Sequence, residues 1–231
     1  MGWLSTWAAG PAAIEFRCHP DDLDVIPAPV FAGKHMPDWF KRLPPKLGPG
    51  LTTSTIKRCM PFLDAMTAGW VIPLAADVEV ITENGESNFR WNFHRPMIEA
   101  HNPKQIEGMT SSPPAKFMNY WSIKVPRGWS ALFVPPLNRP DERFTIMSGI
   151  VDCDRYEEFI NFPFVMNKPW SGIIEAGTPI AQVIPFPRSM AIRTSVVRSF
   201  TAREQDDLER LRRQRGSHES LYRDKLQVRK W

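Results

Sequence analysis

The chain has 231 residues, 42% apolar and 23% charged, with a formal net charge of only +4. That length buries a core as one large domain or one domain with appendages, and no segment approaches the 18 or so apolar residues of a membrane-spanning helix. Cys18, Cys59 and Cys153 are widely spaced and form no C-x-x-C pair, which argues against a disulfide framework or a zinc knuckle, so a soluble, reduced, cytoplasmic protein is expected.

The N-terminal stretch from Met1 to Ala13 is apolar but carries no Lys or Arg ahead of it, so it is not read as a signal peptide. The 23 prolines are about twice the usual share, and with nine tryptophans they point to short strands and ordered loops. Residues 1–51 are expected to be an irregular, Pro-rich arm packed on the core. Within it, M-P-D-W-F-K-R-L at 36–43 predicts one helical turn, with Pro37 first and Trp39, Phe40 and Leu43 inward.

Residues 52–197 read as a β domain. T-T-S-T-I-K-R-C at 52–59 is rich in β-branched residues and predicts a first strand. P-F-L-D-A-M-T-A-G at 61–69 predicts a short helix stopped by Gly69. W-V-I-P-L-A-A-D-V-E-V-I-T at 70–82 predicts a long strand with a proline bend, E-N-G-E a hairpin turn, and F-R-W-N-F a strand with one wet face. From Trp121 to Arg188, short apolar segments alternate with Gly, Pro and Asn every eight to twelve residues, the pattern of a compact all-β domain. Gly149, Asp152 and Tyr156 are expected on a tight turn between two antiparallel strands, with a strand ending near Asn167. Residues 198–231 form a charged helical tail. T-A-R-E at 201–204 is a capping box, acids lie in the first turn, arginines lie near the end, and Gly216 is expected to stop the helix.

Residues 121–186 resemble the trimeric dUTPase and dCTP deaminase superfamily. The likeness rests on Pro126, Gly128 and Trp129; on Gly149, Ile150, Val151, Asp152, Asp154 and Tyr156; on Asn167; and on Gly177, Ile180, Ala181 and Gln182. Ala68, Gly69 and Trp70 match the upstream A-G-Y motif. The resemblance implies a distorted β-barrel or jelly-roll fold, a trimer, and a pocket in which Asp152 positions a water. The departures are chemical. The metal-organising Asp after A-G-Y is Val71 here, the phosphate-binding R-S-G slot reads P-P-L-N-R-P-D, an extra residue separates Asp154 from Tyr156, and a charged helix stands in place of a Gly-rich arm. A second resemblance covers most of the chain, to an uncharacterised group of bacterial and tailed-phage proteins. It rests on Lys34–Lys41, Pro135–Arg139 and Gly149–Tyr156, and it carries no function with it.

The reading is therefore a non-hydrolytic dUTPase-fold relative, a phage-related protein that binds a small ligand or serves assembly, with no cofactor. Asp152 and Asp154 are the candidate acids; a turn-forming Asp is the plain alternative for Asp152. Asn138, Arg139 and Arg143, with Tyr156 and Gln182, are candidate ligand contacts in a loop expected to face that turn. An Arg pair there suits a phosphorylated or carboxylated ligand, or else a structural ion-pair network. The alternative enzymes are a Mg-dependent phosphohydrolase of nucleotide-like substrates with Asp152 as base, and an iron oxygenase. The latter would use His19 and Asp21 of H-P-D with His94 or His101. A homo-oligomer is the expected partner. Acids are interleaved along the arginine-rich tail, so a nucleic-acid partner is not expected.

Overall fold

The computed structural model describes residues 13–49, 53–100, 115–190, 192, 194–218 and 220–228. The chain divides into two compact units. One takes the described residues up to Val30 and then Gly69–Met190; the other takes Phe31–Ala68 and the described residues from 192 onward.

The strands are β1 (Glu15–Arg17), β2 (Val30–Phe31), β3 (Trp70–Pro73), β4 (Val78–Glu83), β5 (Glu86–Trp91), β6 (Ile98–Ala100), β7 (Ala115–Phe117), β8 (Ser122–Lys124), β9 (Trp129–Val134), β10 (Phe144–Ile146), β11 (Gly149–Val151), β12 (Phe162–Met166), β13 (Gly172–Ile174) and β14 (Pro179–Pro187). In the first unit they pair antiparallel in the orders β11-β9-β14-β3, β10-β12-β7-β6, β13-β4-β5 and β1-β8. The expectation of a mostly-β protein with a charged C-terminal helix holds.

Strand period explains the core. On β12, Phe162, Phe164 and Met166 are buried while Pro163 and Val165 are not. Phe164 stacks on Phe117 of β7 at 4.0 Å between ring centroids, and Phe144 of β10 meets both rings edge-on. Burying each such ring contributes about 1.5–3 kcal/mol. Trp121 is buried too, and its indole N–H donates to the Pro27 carbonyl at 3.0 Å, which satisfies the ring's one donor. E-N-G-E closes the β4–β5 hairpin as expected: Asn84 and Gly85 have φ of 52° and 83°, the pair of positive angles a two-residue primed turn needs.

Four local expectations need correction. Residues 70–82 are not one strand. They break after Pro73, because Leu74 exchanges backbone hydrogen bonds with Gly177 and Thr178 and the Asp77 carboxylate takes the Ala176 amide, so β3 and β4 enter different sheets. Residues 53–59 form no strand either. The Thr55 amide and hydroxyl are spent on the carbonyls of Pro45 and Pro44, and a 3₁₀ turn, Ile56–Arg58, follows. The turn at Asp152 separates β11 from β12 as expected, but these strands belong to different sheets. Gly216 does not stop the C-terminal helix, which runs to Ser217 and closes when the His218 amide bonds to Gln214.

The second unit contains α1 (Asp38–Arg42), α2 (Met60–Thr67) and α3 (Ala202–Ser217). Phe40 stacks on Phe62 at 6.0 Å, with Trp39 edge-on to both. Phe40 is buried as expected, whereas Trp39 is 42% exposed: successive residues of one helical turn cannot all face inward. Arg58 donates to the Ser220 hydroxyl at 2.6 Å and Gln227 to the Asp64 carboxylate at 3.1 Å, which ties the C-terminal segment to the 56–67 region. Thr201 and Glu204 form the expected capping box, and α3 buries no residue.

Gly69 follows α2 with φ of +63°, and a Cβ there would lie 2.0 Å from the Val183 carbonyl oxygen in β14. Gly177 has φ of +83° but nothing within 4 Å of the same position. Gly177→Ala is expected to cost about 1 kcal/mol, from conformation alone. Gly69→Ala must also displace β14 and should cost more than about 2 kcal/mol. Urea unfolding midpoints of the two variants measure the difference.

Candidate functional site

Three neighbouring strands build one polar cluster at a common end. Val151 of β11 lies opposite Ala131 of β9, so Asp152, one residue on, reaches Ser130. Phe186 and Pro187 of β14 lie opposite Ser130 and Trp129, which brings Arg188 to the same place. The Ser130 hydroxyl donates to Asp152 Oδ1 at 2.6 Å. Arg188 Nη1 donates to Asp152 Oδ1 at 3.2 Å, to Asp154 Oδ1 at 2.9 Å and to the Trp129 carbonyl, while Nη2 donates to Asp154 Oδ2 at 2.6 Å. The Gly128 amide completes the set, donating to Asp154 Oδ2 at 2.8 Å.

The two acids are not equivalent. The Asp154 side chain is 3% exposed and forms a bidentate pair with Arg188, whereas Asp152 is 56% exposed. The Arg188 hydrogen bonds, then the Gly128 amide, hold the Asp154 carboxyl well below the usual carboxylate range. Asp154 in turn raises the Arg188 pKa. Asp154 is therefore a fixed anion that orients Arg188, and it has no proton to trade near neutral pH. Cys153 between them is buried, and burial first, then Asp152 and Asp154, pushes its thiol up to about 11, so it is no nucleophile at neutral pH. Asp152 presents an accessible carboxylate with one oxygen fixed by Ser130 and Arg188. Tyr156 closes the turn through its amide to the Asp152 carbonyl, and its side chain is exposed.

Beside this cluster lies a depression of about 450 Å³ lined by Lys124, Val125, Arg127, Gly128, Asp154, Arg155 and Arg188. Lys124 is paired with Glu157 at 2.6 Å and Arg188 with Asp154. Arg127 and Arg155 are exposed and make no ion pair among the described residues. The one acid in the lining is thus neutralised inside it, and the surplus is cationic.

The structure does not bring the 138–143 loop to this turn. That loop leaves the far end of β9, beyond Val134, while Asp152 meets its near end at Ser130. Gln182 goes with the loop: fully buried, it accepts the Leu137 amide at 2.8 Å. Arg143 is bidentate to Asp141 at 2.9 and 2.7 Å, has Glu175 at 3.7 Å, and stands 5.5 Å from the Trp170 ring. Asp141 raises the Arg143 pKa. Burial lowers that of Arg139 to about 10. Asn138 takes a φ of 58°. Pro135, Pro136 and Pro140 have no amide hydrogen, and the amides of Leu137, Arg139 and Arg143 are already bonded. Such a loop has little backbone to offer a phosphate chain.

Of the histidine set, His19 stands 3.4 Å from Asp21, both exposed. His94 approaches the neighbouring Asp22 at 3.9 Å instead, and the buried Asp22 is held by Arg95. His101 lies outside the described residues. Among the described residues no group of three or more His, Cys, Asp or Glu could hold a metal ion. The Mg²⁺ that the sequence resemblance implies does not fit: Val71, where its carboxylate would stand, is 1% exposed and paired with Gln182 in the sheet.

Sequence reading missed Ser130, Arg188, Arg127 and Arg155. The first two carried a weak signal, a period-2 strand ending in P-F-P-R beside a P-x-G-W-S strand, but pairing them needs the β9–β14 register.

No protein-family model and no curated protein matches the chain. Solved structures that overlap it include the native dUTPase of EIAV, at 13% identity and TM-score 0.35, covering 58% of this chain and 87% of that one. A dUTPase of Staphylococcus bacteriophage 80alpha with dUpNHpp overlaps at 15% identity and TM-score 0.33, covering 59% of this chain and 80% of the other. A dUTPase from phage phi11 of S. aureus overlaps at 13% and 0.32, covering 58% and 82%. At these scores the overlaps assign this chain no function.

A carboxyl with a depressed folded-state pKa contributes stability above its unfolded pKa, about 3.9, and that contribution is lost as pH falls. Asp154→Asn should therefore lower stability at neutral pH, and the gap to wild type should shrink below about pH 4. Urea midpoints of both proteins across that range measure it. A gap that stays constant into acid would show that the pair with Arg188 is not what Asp154 contributes.

Proposed function

We propose that this protein is a non-hydrolytic dUTPase-fold relative that binds a small phosphorylated or carboxylated ligand in the depression beside Asp154. The observation that carries this reading is the cationic surplus: Arg127 and Arg155 stand exposed around a concavity whose only acid is already paired with Arg188. A carboxylate or phosphate there would meet two uncommitted guanidiniums, which suit planar, bidentate recognition. Val71 and the proline-filled 135–140 loop support the absence of triphosphate hydrolysis, since Val71 carries no carboxylate to orient a metal and the prolines of the loop carry no amide hydrogen for a phosphate. A phage-related assembly role is compatible with this reading, and the cytoplasm is its expected setting. The second reading is a phosphohydrolase with Asp152 as general base. One observation favours it, an exposed carboxylate fixed through one oxygen.

Thermal-shift and calorimetric titration with inorganic phosphate, dUMP, dUTP and citrate tests the ligand class. At least one anion should raise the melting temperature at millimolar concentration, and Arg127→Gln with Arg155→Gln should remove the shift. No shift with any of them would refute the site. Pyrophosphate release from dUTP with magnesium should stay at background; release abolished by Asp152→Asn would establish the hydrolase instead.

Self-association belongs to the same proposal. The edge strands β11 and β13 expose Ile150 by 64% and Ile173 by 53%, and uncovered edges of this kind pair or aggregate unless closed. A homo-oligomer, in the first instance a trimer, is expected by light scattering at micromolar concentration. A clean monomer would refute it.

A further inference from the structure

Charge is sorted between the two units. The unit formed by residues 31–68 and 191–231 carries 17 Lys and Arg against 8 Asp and Glu, a net +9, although the whole chain is only +4. The remainder is therefore net acidic. In sequence, the acids of the tail look interleaved with its arginines. In the structure, most of them are spent on near neighbours. Glu204 holds Arg198, Asp207 holds Arg210, Glu209 faces Arg213, and Asp224 holds His218 and Arg223. The two acids of the 31–68 segment are spent as well, Asp38 on Lys41 and Asp64 on the Gln227 amide. Arg42, Arg203, Arg212, Arg215 and Lys225 are exposed and have no ion-pair partner among the described residues.

Part of this surplus surrounds an aromatic platform. Lys57 Nζ bonds the Lys41 carbonyl at 2.8 Å and lies 5.9 Å from the Phe40 ring, so Lys57 and Arg42 flank α1. Trp39, on the same turn, is propped edge-on against Phe40 and Phe62 and leaves its indole half-exposed. The Arg58–Ser220 hydrogen bond anchors the segment bearing Tyr222 and Lys225 next to the 56–58 turn.

We infer that this unit binds single-stranded nucleic acid, with phosphates on Arg42, Lys57 and Lys225 and a base stacked on Trp39. Arg212 and Arg215 of α3 extend the electrostatic footprint. A point-charge surplus alone would suit any polyanion. The exposed, rigidly supported indole among the cations favours a ligand with flat faces, since base stacking on aromatic side chains is the usual sequence-tolerant contact with single strands.

Fluorescence anisotropy of the full chain with labelled oligo-dT of about 20 nucleotides tests the assignment. Binding is expected at low ionic strength, with log K falling against log salt with a slope of about −2 for the three phosphates on Arg42, Lys57 and Lys225. Arg42→Gln with Lys225→Gln should weaken it roughly tenfold and flatten the slope. Trp39→Ala should weaken single-strand binding more than duplex binding. Because Trp39 also touches Phe40 and Phe62, Arg212→Gln with Arg215→Gln on the solvated helix is the variant pair that cannot be confused with unfolding. Absence of binding at low salt, tighter binding to a duplex of equal length, or equal competition by polyglutamate or by phosphatidylserine vesicles would each overturn the assignment.

Discussion

One guanidinium organises the end of the main sheet. Arg188 follows β14, and its two terminal nitrogens are shared between the carboxylates that follow β11 and the Trp129 carbonyl and Ser130 hydroxyl of β9. In the pair with Asp154 the carboxylate is 3% exposed and the arginine 33%, and the Gly128 amide reinforces the carboxylate, so Asp154 cannot leave without giving up a bidentate partner and a backbone donor together. The interaction works through geometry more than through net energy, because buried ion pairs recover little beyond their own desolvation. Its consequence is positional: the 152–156 turn, the 126–129 turn and the end of β14 are held in one place.

That fixed arrangement decides the local chemistry. An acid already committed to Arg188 is a support and not a proton carrier, and the buried thiol between the two acids is neutral. What remains available beside them is Asp152 on one side and the cations Arg127 and Arg155 on the other. At the opposite end of β9 the outcome is the reverse. Arg143, Asp141, Asn167 and Gln182 bond one another or the backbone, with Asn167 bonding both Thr145 and the Asp141 carbonyl.

The second unit follows different rules. It is small, its apolar residues include an aromatic group around Phe40 and Phe62, and the Arg58–Ser220 and Gln227–Asp64 hydrogen bonds join its separate chain segments. Its helix α3 is solvated throughout, so its stability rests on the capping box and on ion pairs along its own surface, each worth only tenths of a kcal/mol. With those acids paired locally, Arg42, Arg203, Arg212 and Arg215 have no ion-pair partner among the described residues.

Local rules were legible in the residues alone. The E-N-G-E hairpin, the T-A-R-E cap, the helix ended before Gly69 and the alternating strands from 121 to 187 all depend on contacts within a few residues, which sequence patterns report directly. So did the acids at Asp152 and Asp154 as a pair on a turn. The break at Pro73, the separation of β11 from β12 and the partner of Asp154 were not legible, because each depends on which strand lies alongside. Arg188 and Asp154 are 34 residues apart, and nothing in either segment names the other until β9 sets the register between β11 and β14. The sorting of charge was legible in part: residues 191–231 carry 11 Lys and Arg against 6 acids and residues 31–68 carry 6 against 2, but only in three dimensions do the two segments join into one basic unit.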